Sequence, residues 1–354
     1  MKSEVFFRSI NEGKRTECLK KSLREIDPLL SQFRKGSFVG IKMTVGDEKS
    51  TGYIKPELVR ILVNNLKRRG IKPFVFDTNV IYKGRRQNAV DHLNLAYRKG
   101  FTPGNIGCPY IIADSVFGTD SRTIKVDFKN IREIRVPSLV KVLDDLIVLS
   151  HITGHIMSGY AGSIKNVAMG MASRAGKQVQ HSSLKPAINA ANCTLCGCCI
   201  ETCPVSAISE HSRKAFINSE VCIGCGECIA CCKFNAVKIN WQEDTSIFAE
   251  RTVEYAYGIL SQIKRKVFIN VAFDITEECD CISGDDPVIM EDKGIFASGD
   301  ILAVDKACYD LLSETKDKFA RGGKIGTHLH QFKYAGEIGL GSLDYELVGA
   351  LRAG

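Results

Sequence analysis

Between Cys193 and Cys232 the chain reads Cys193-x2-Cys196-x2-Cys199-x3-Cys203 and then Cys222-x2-Cys225-x2-Cys228-x3-Cys232, one spacing written twice. In such a run three thiolates from one tight turn grip one face of an iron–sulphur cubane. The fourth, opening the next helix, reaches across to the other cubane. The crossed pattern assigns Cys193, Cys196, Cys199 and Cys232 to one [4Fe-4S] cluster and Cys222, Cys225, Cys228 and Cys203 to a second. Each cluster then ties both halves of the segment together, and the pair stores and moves single electrons at low potential.

At 354 residues, 44% hydrophobic and 25% charged, the chain is an ordinary globular protein long enough for two or three cores. No apolar stretch approaches the roughly 18 to 20 residues that span a bilayer, and the opening MKSEVFFRSINEGKR lacks a signal-like apolar run. A cytoplasmic protein without membrane contact is expected, in a reducing, oxygen-poor compartment, because cluster ligation requires thiolates. The formal charge of +8 counts the ligand cysteines as neutral. Two oxidised clusters at about −2 each bring the loaded protein to about +4. Its basic residues are dispersed, as at Lys67, Arg68 and Arg69 or at Arg132 and Arg135, which reads as a solvated face and not as a nucleic-acid surface. The same charge suits docking of an acidic electron donor or acceptor such as a ferredoxin.

Outside the cysteine segment, strands and helices alternate. Ser37 to Val45 reads as a buried strand, Lys55 to Arg69 as a helix with apolar Leu58, Val59, Leu62, Val63 and Leu66 closed by Gly70, and Pro73 to Phe76 as the next strand. Helix Asn88 to Lys99, strand Tyr110 to Ala113, helix Ser138 to Asp144 and strand Leu146 to Leu149 continue the pattern. After the cysteines come helix Thr252 to Arg265, strands Val267 to Val271 and Gly294 to Ala297, and helix Val304 to Leu312. The expected fold is α/β, a mostly parallel sheet with helices on both faces, interrupted by an α+β ferredoxin-like two-cluster domain. Residues 1–185 and 242–354 form the discontinuous α/β domain and 186–241 the insertion, since the tail is too short to fold alone.

Ligands of open α/β sheets collect beyond the carboxyl ends of the strands. That rule gathers Asp77 and Asn79, His151 and His155, Asp274, Cys279 and Cys281, and Asp300 around one crevice. The stretch from His151 through Gly159, Gly162, Ser163, Lys165 and Asn166 is a glycine-rich loop running into a helix. Exposed N–H groups at such a helix start attract an anion, and Lys165 adds a full charge. His151, His155 and Lys165 are therefore the candidate catalytic residues, and Gly159, Gly162, Ser163 and Asn166 the candidate loop for an anionic small molecule or cofactor. A tight strand-to-helix connection accounts for the glycines equally well. Gly154 breaks any helical meaning of the His151–His155 spacing, which favours acid/base work over a mononuclear metal.

Cys279-Asp280-Cys281 sits among Glu277, Glu278, Asp285 and Asp286. Two readings stand for Cys279 and Cys281: an extra metal or electron-exchange site, or small packed thiols in a turn. Cys18, Cys108, Cys198, Cys231 and Cys308 read as packing residues.

Val5-Phe-Phe, the segment His151 to Lys177, Cys279-Asp-Cys281 and the run Gly294-Ile-Phe-Ala-Ser-Gly-Asp300-Ile-Leu-Ala-Val-Asp305 together resemble the iron–sulphur proteins of domain of unknown function 362. The resemblance covers nearly the whole chain and implies no particular reaction. The cysteine segment resembles bacterial two-cluster ferredoxins at all eight ligand positions, departing at Lys233 where the first run has Pro204. A histidine followed by Gly-x-x-Gly and then lysine is similar to a segment of lactate-racemase-like proteins; the match is too short to carry over a nickel cofactor but is compatible with an additional metal or organic cofactor in the crevice.

No Gly-x-Gly-x-x-Gly follows a strand, so a nicotinamide site is not indicated, while a flavin site need not be written in a short motif. The expected function is relay of low-potential electrons through two [4Fe-4S] clusters to the crevice, an oxidoreductase of unspecified substrate. The alternative is a non-catalytic adaptor that hands electrons to a partner enzyme.

Overall fold

Strand Asp145–His151 shows how the sheet is covered: Leu146 and Val148 enter one core, Ile147 and Leu149 the other, and the strand's side chains are almost wholly buried. Alternation with both faces apolar is the mark of a sheet sandwiched between helices. The computed structural model describes residues 2–10, 14–81, 84–155, 157–181, 185–203, 205–222, 228, 232, 234, 236–239, 245–281, 287–314, 318–319 and 327–349.

In chain order the strands are β1 (Ser3–Ser9), β2 (Phe38–Lys42), β3 (Lys72–Asp77), β4 (Tyr110–Ile112), β5 (Arg122–Lys125), β6 (Glu133–Val136), β7 (Asp145–His151), β8 (Thr153–His155) and β9 (Gly159–Ala161), followed by β10 (Pro186–Ile188), β11 (Ile208–His211), β12 (Lys214–Ile217), β13 (Val237–Ile239), β14 (Arg265–Ala272), β15 (Gly294–Ser298) and β16 (Tyr345–Val348). Eight of them form one sheet in the order β16-β1-β15-β14-β7-β2-β3-β4. Five of its seven neighbouring pairs are parallel, and β15 runs antiparallel to both its neighbours. The molecule is thus a mixed α/β fold on a large, mostly parallel sheet.

Helices Arg15–Glu25, Pro56–Arg68 and Ala89–Arg98 lie over one face, and Ser163–Ala168, Thr245–Leu260, Ile301–Ser313 and Thr327–Glu337 over the other. Pro56–Arg68 buries the five apolar residues its periodicity announces. At roughly 1.5 to 3 kcal/mol for each fully buried aliphatic side chain, that stripe outweighs the helix's own modest propensity. It stops where Gly70 takes a φ of +74°, which a side chain would strain. Asn88 caps the next helix by accepting the Asp91 N–H at 2.9 Å.

The large sheet draws strands from both sides of the cysteine segment. Between them, β10 pairs with β13 and β11 with β12, each antiparallel, around a small core of Cys193, Ile208, Ala215, Ile217, Cys228, Ala236 and Val237. No helix among the described residues is long and apolar enough to cross a membrane.

Two expectations need correction. The helix read as Thr252 to Arg265 spans Thr245–Leu260, because Phe248 and Ala249 extend its buried side and the chain must turn before β14. Strand β15 reverses direction, which carries Asp300 to the opposite end of the sheet from the crevice. There Asp300 caps helix Ile301–Ser313 through the Leu302 and Ala303 N–H groups and accepts from Ser3 Oγ at 2.8 Å.

Candidate functional site

The parallel strands β2, β3, β7 and β14 end on the same side, bringing Lys42, Asp77, His151 and the Asp274 loop together. Lys42 closes an otherwise apolar strand, is 1% exposed, and lies 3.0 Å from Asp77 and 2.8 Å from Asn166 Oδ1. Arg86 approaches Asp77 and Asp47 at 3.7 Å each and donates to Thr44 Oγ1 at 2.7 Å. Asn79 donates to Asp114 from both its backbone and its side chain. Burial drives the ammonium of Lys42 below its usual range and that of Lys177 down to about 8. A floor of buried charges therefore lies at the carboxyl ends of these strands. Lys42, Arg86 and Lys177 were missed from sequence, although a lysine ending a strand as apolar as Phe-Val-Gly-Ile is itself a signal.

His151 is held at both nitrogens. Nδ1 meets Asp280 at 2.9 Å and Nε2 meets the Phe273 carbonyl at 2.7 Å, two acceptors that call for a doubly protonated ring. Burial opposes that charge, yet Asp280 and the carbonyl hold the imidazole above its usual pKa. Burial also opposes the Asp280 carboxylate, and His151, Arg86 and Lys165 keep it below the usual range. His151, expected as a catalytic residue, thus has both ring nitrogens engaged and anchors Asp280. Asp274 is likewise engaged, by both terminal nitrogens of Arg15 at 2.6 Å.

His155 is placed differently. Its Nδ1 accepts the N–H groups of Met157 and Ser158 at 3.2 and 3.0 Å, so the ring hydrogen sits on Nε2. A ring nitrogen of His155 and the sulphurs of Cys279 and Cys281 lie within 4.8 Å of one another. Cys279 and Cys281 are joined as a disulfide, in which neither sulphur is a thiolate that could bind a metal. Metal-binding histidines commonly donate their second nitrogen to an acceptor, whereas here that nitrogen faces two donors. His155 is therefore arranged as a hydrogen-bond donor. Lys165 Nζ stands 3.7 Å from Cys281 Sγ, and burial pushes its pKa down to about 7, with Asp280 and Glu278 pulling the other way.

The glycine-rich loop is not open to an anion. Asp305 fills the helix start, accepting the N–H groups of Ser163 at 2.8 Å and Ile164 at 2.9 Å, and Asn270 donates to it as well. Side chains at Gly159 or Gly162 would collide with His328 or Asp305, so these glycines serve close packing. Ser163 Oγ donates to Asn270, and Asn166 bridges Lys42 to the Leu149 carbonyl. An internal carboxylate thus sits at the helix start of the loop expected, from Gly159, Gly162, Ser163 and Asn166, to hold an anion or cofactor.

In the cysteine segment, burial raises the Cys199 thiol, and its charged neighbours are Cys193, Cys196 and Cys232, the fourth from the far run. Backbone N–H groups of Ala207, Ala215 and Ala236 point at the sulphurs of Cys203, Cys193 and Cys232 at 3.2 to 3.4 Å. Cys222 and Cys228 lie in or against the small core, while Cys225 and Cys231 lie outside the described residues. Cys18, Cys108 and Cys308 are buried thiols, as expected of packing residues. A basic groove of about 610 Å³ between Lys20, Arg24, Lys67 and Arg68 sits at the end of the sheet away from the crevice.

Residues 39–310 match the family described as Domain of unknown function (DUF362), and the chain belongs to that family. A solved protein from Thermotoga maritima is similar at 13% identity and a TM-score of 0.44, over 84% of this chain and 59% of that one. The lactate racemase apoprotein from Thermoanaerobacterium thermosaccharolyticum is similar at 13% identity and a TM-score of 0.36, over 75% of this chain and 50% of that one. Both likenesses are distant. No curated protein matches the sequence.

Proposed function

We propose that the chain is an iron–sulphur oxidoreductase that relays low-potential electrons through two [4Fe-4S] clusters toward the crevice at the carboxyl ends of the sheet. The observation that carries this reading is that Cys193, Cys199, Cys203, Cys222, Cys228 and Cys232, from both runs, pack on one small core, with Cys193, Cys196 and Cys232 all bearing electrostatically on Cys199 as the crossed pattern expects. Polar N–H groups aimed at cysteine sulphurs support it further, because such bonds stabilise the negative charge of a bound cluster. Cys193, Cys196, Cys199 and Cys232 would hold one cluster. Cys203, Cys222, Cys225 and Cys228 would hold the other. The clusters supply one-electron storage, and the polypeptide supplies ligation, shielding and the path into the body. An acidic ferredoxin-like donor in the cytoplasm suits the net positive charge.

Anaerobic purification with iron and sulphide analysis tests the reading. About eight of each per chain, with a paramagnetic signal appearing on dithionite reduction, is the expected result. Colourless protein without sulphide would overturn it.

A further inference from the structure

We propose that the Cys279–Cys281 disulfide is redox-active and is the two-electron acceptor of the crevice, opening to a Cys279 thiol and a Cys281 thiolate paired with Lys165. This rests on the relay reading, whose cargo it specifies.

The bond spans a single intervening residue. A cross-link stabilises a fold by closing a loop, and the gain falls as the loop shortens, so this one has little structural purpose. The loop is already fixed by other means. Asp280 is clamped to His151, its carbonyl accepts the Asp47 N–H at 2.8 Å, and the Glu278 carbonyl accepts from Thr276 Oγ1 at 2.7 Å. With the backbone held at Glu278 and Asp280, on either side of Cys279, the sulphurs stay adjacent after the bond opens, and closure is intramolecular.

The two sulphurs are also unequal. Cys279 is 5% exposed, whereas Cys281 is half-buried and faces the Lys165 ammonium at 3.7 Å. A cation beside a sulphur stabilises its thiolate. The ring nitrogen of His155, within 4.8 Å of both sulphurs, belongs to a side chain whose hydrogen is directed to Nε2 by two backbone donors at Nδ1. Cys281 is thus the sulphur that carries charge and meets solvent, and Cys279 the one kept inside.

The step balances. The S–S bond breaks, two electrons enter and one proton from solvent goes to Cys279, leaving one negative charge on Cys281 opposite Lys165. Each of two reduced [4Fe-4S] clusters returns to its oxidised state and gives up one electron. Two one-electron stores match one two-electron bond.

The experiment uses anaerobic holoprotein, assayed first for iron and sulphide. It is titrated with dithionite to two electrons per chain, quenched with N-ethylmaleimide, and the peptide carrying Cys279 and Cys281 is weighed by mass spectrometry. The expected peptide is unlabelled before reduction and doubly labelled afterwards, with the clusters back in the oxidised state. An unlabelled peptide beside clusters that stay reduced would sink the disulfide proposal and leave the relay standing. Label incorporated before any reductant would sink it too. Iron-free protein would instead sink the relay, and the disulfide's role with it. In the reduced protein, Lys165→Met is expected to slow Cys281 labelling at neutral pH by about tenfold, with Lys165→Arg restoring it. Equal rates in all three proteins would remove Lys165 from the assignment.

Discussion

Asp305 accepts the Ser163 N–H at 2.8 Å across 142 positions of sequence, and so occupies the helix start that the glycine-rich loop presents. Replacing it with alanine strips the acceptor from the Ser163 and Ile164 N–H groups and from Asn270 in one stroke. Each buried orphan costs roughly 1 to 3 kcal/mol, so Asp305→Ala should lose about 3 to 5 kcal/mol in urea unfolding. A loss below about 1 kcal/mol would contradict the cap. Millimolar phosphate should leave the melting temperature of the wild type unchanged, since the place is taken.

The His151–Asp280 pair should be asymmetric under mutation. Asp280→Ala leaves a buried imidazolium and is expected to cost about 3 to 5 kcal/mol. The double change His151→Phe with Asp280→Ala should recover part of that loss. Strictly additive effects in equilibrium unfolding would argue against the pair.

This pair also sets a pH window. His151 has a raised pKa, so its contribution is complete below the unfolded value near 6.5 and fades as pH climbs through the raised one. Asp280 has a lowered pKa, so its contribution is complete above the unfolded value near 3.8 and fades as acid protonates the folded carboxylate. The difference in stability between wild type and the double variant should be largest between those limits.

His92 sets an acid limit of its own. It is 0% exposed, neither nitrogen has a hydrogen-bond partner among the described residues, and burial pushes its pKa down to about 3 from 6.5. The unfolded chain therefore takes up a proton below about pH 6.5 that the folded one refuses, and stability is lost as pH falls from there toward 3. His92→Phe should flatten that slope in acid titrations followed by circular dichroism. An unchanged slope would show that His92 is not its source.

Adjacent cysteines offer a sharp test of register. Cys198→Ala should leave the iron content intact, while Cys199→Ala should remove about half of it. The reverse result would mean that the spacing had been read one residue out of step.

The alternation of strands and helices was legible because each element is long enough to show its period, as in Pro56–Arg68 and β7. The direction of β15 was not, since five apolar residues read the same way forwards and backwards. Within the site, the arrival of Asp77, His151 and the Asp274 loop at one end of the sheet was legible from the strand ends. The roles were not. His151 looks like a base until Asp280 and Phe273 close on both its nitrogens. Ser163 looks like an anion cradle until Asp305 arrives from a distant helix. Long-range partners of this kind leave no trace in local spacing.

Among the described residues, strand β1, at residues 3–9, pairs with β15 and β16 alone, at residues 294–298 and 345–348. On the ribosome β1 is made before either of these partners and waits, edges bare, until the residues between them have been translated. All the cysteines between 193 and 232 are made within that interval. On the proposed two-cluster reading, iron and sulphide would arrive while the surrounding body is still open, and a shortage of either would meet a nascent chain in which β1 is exposed to aggregation.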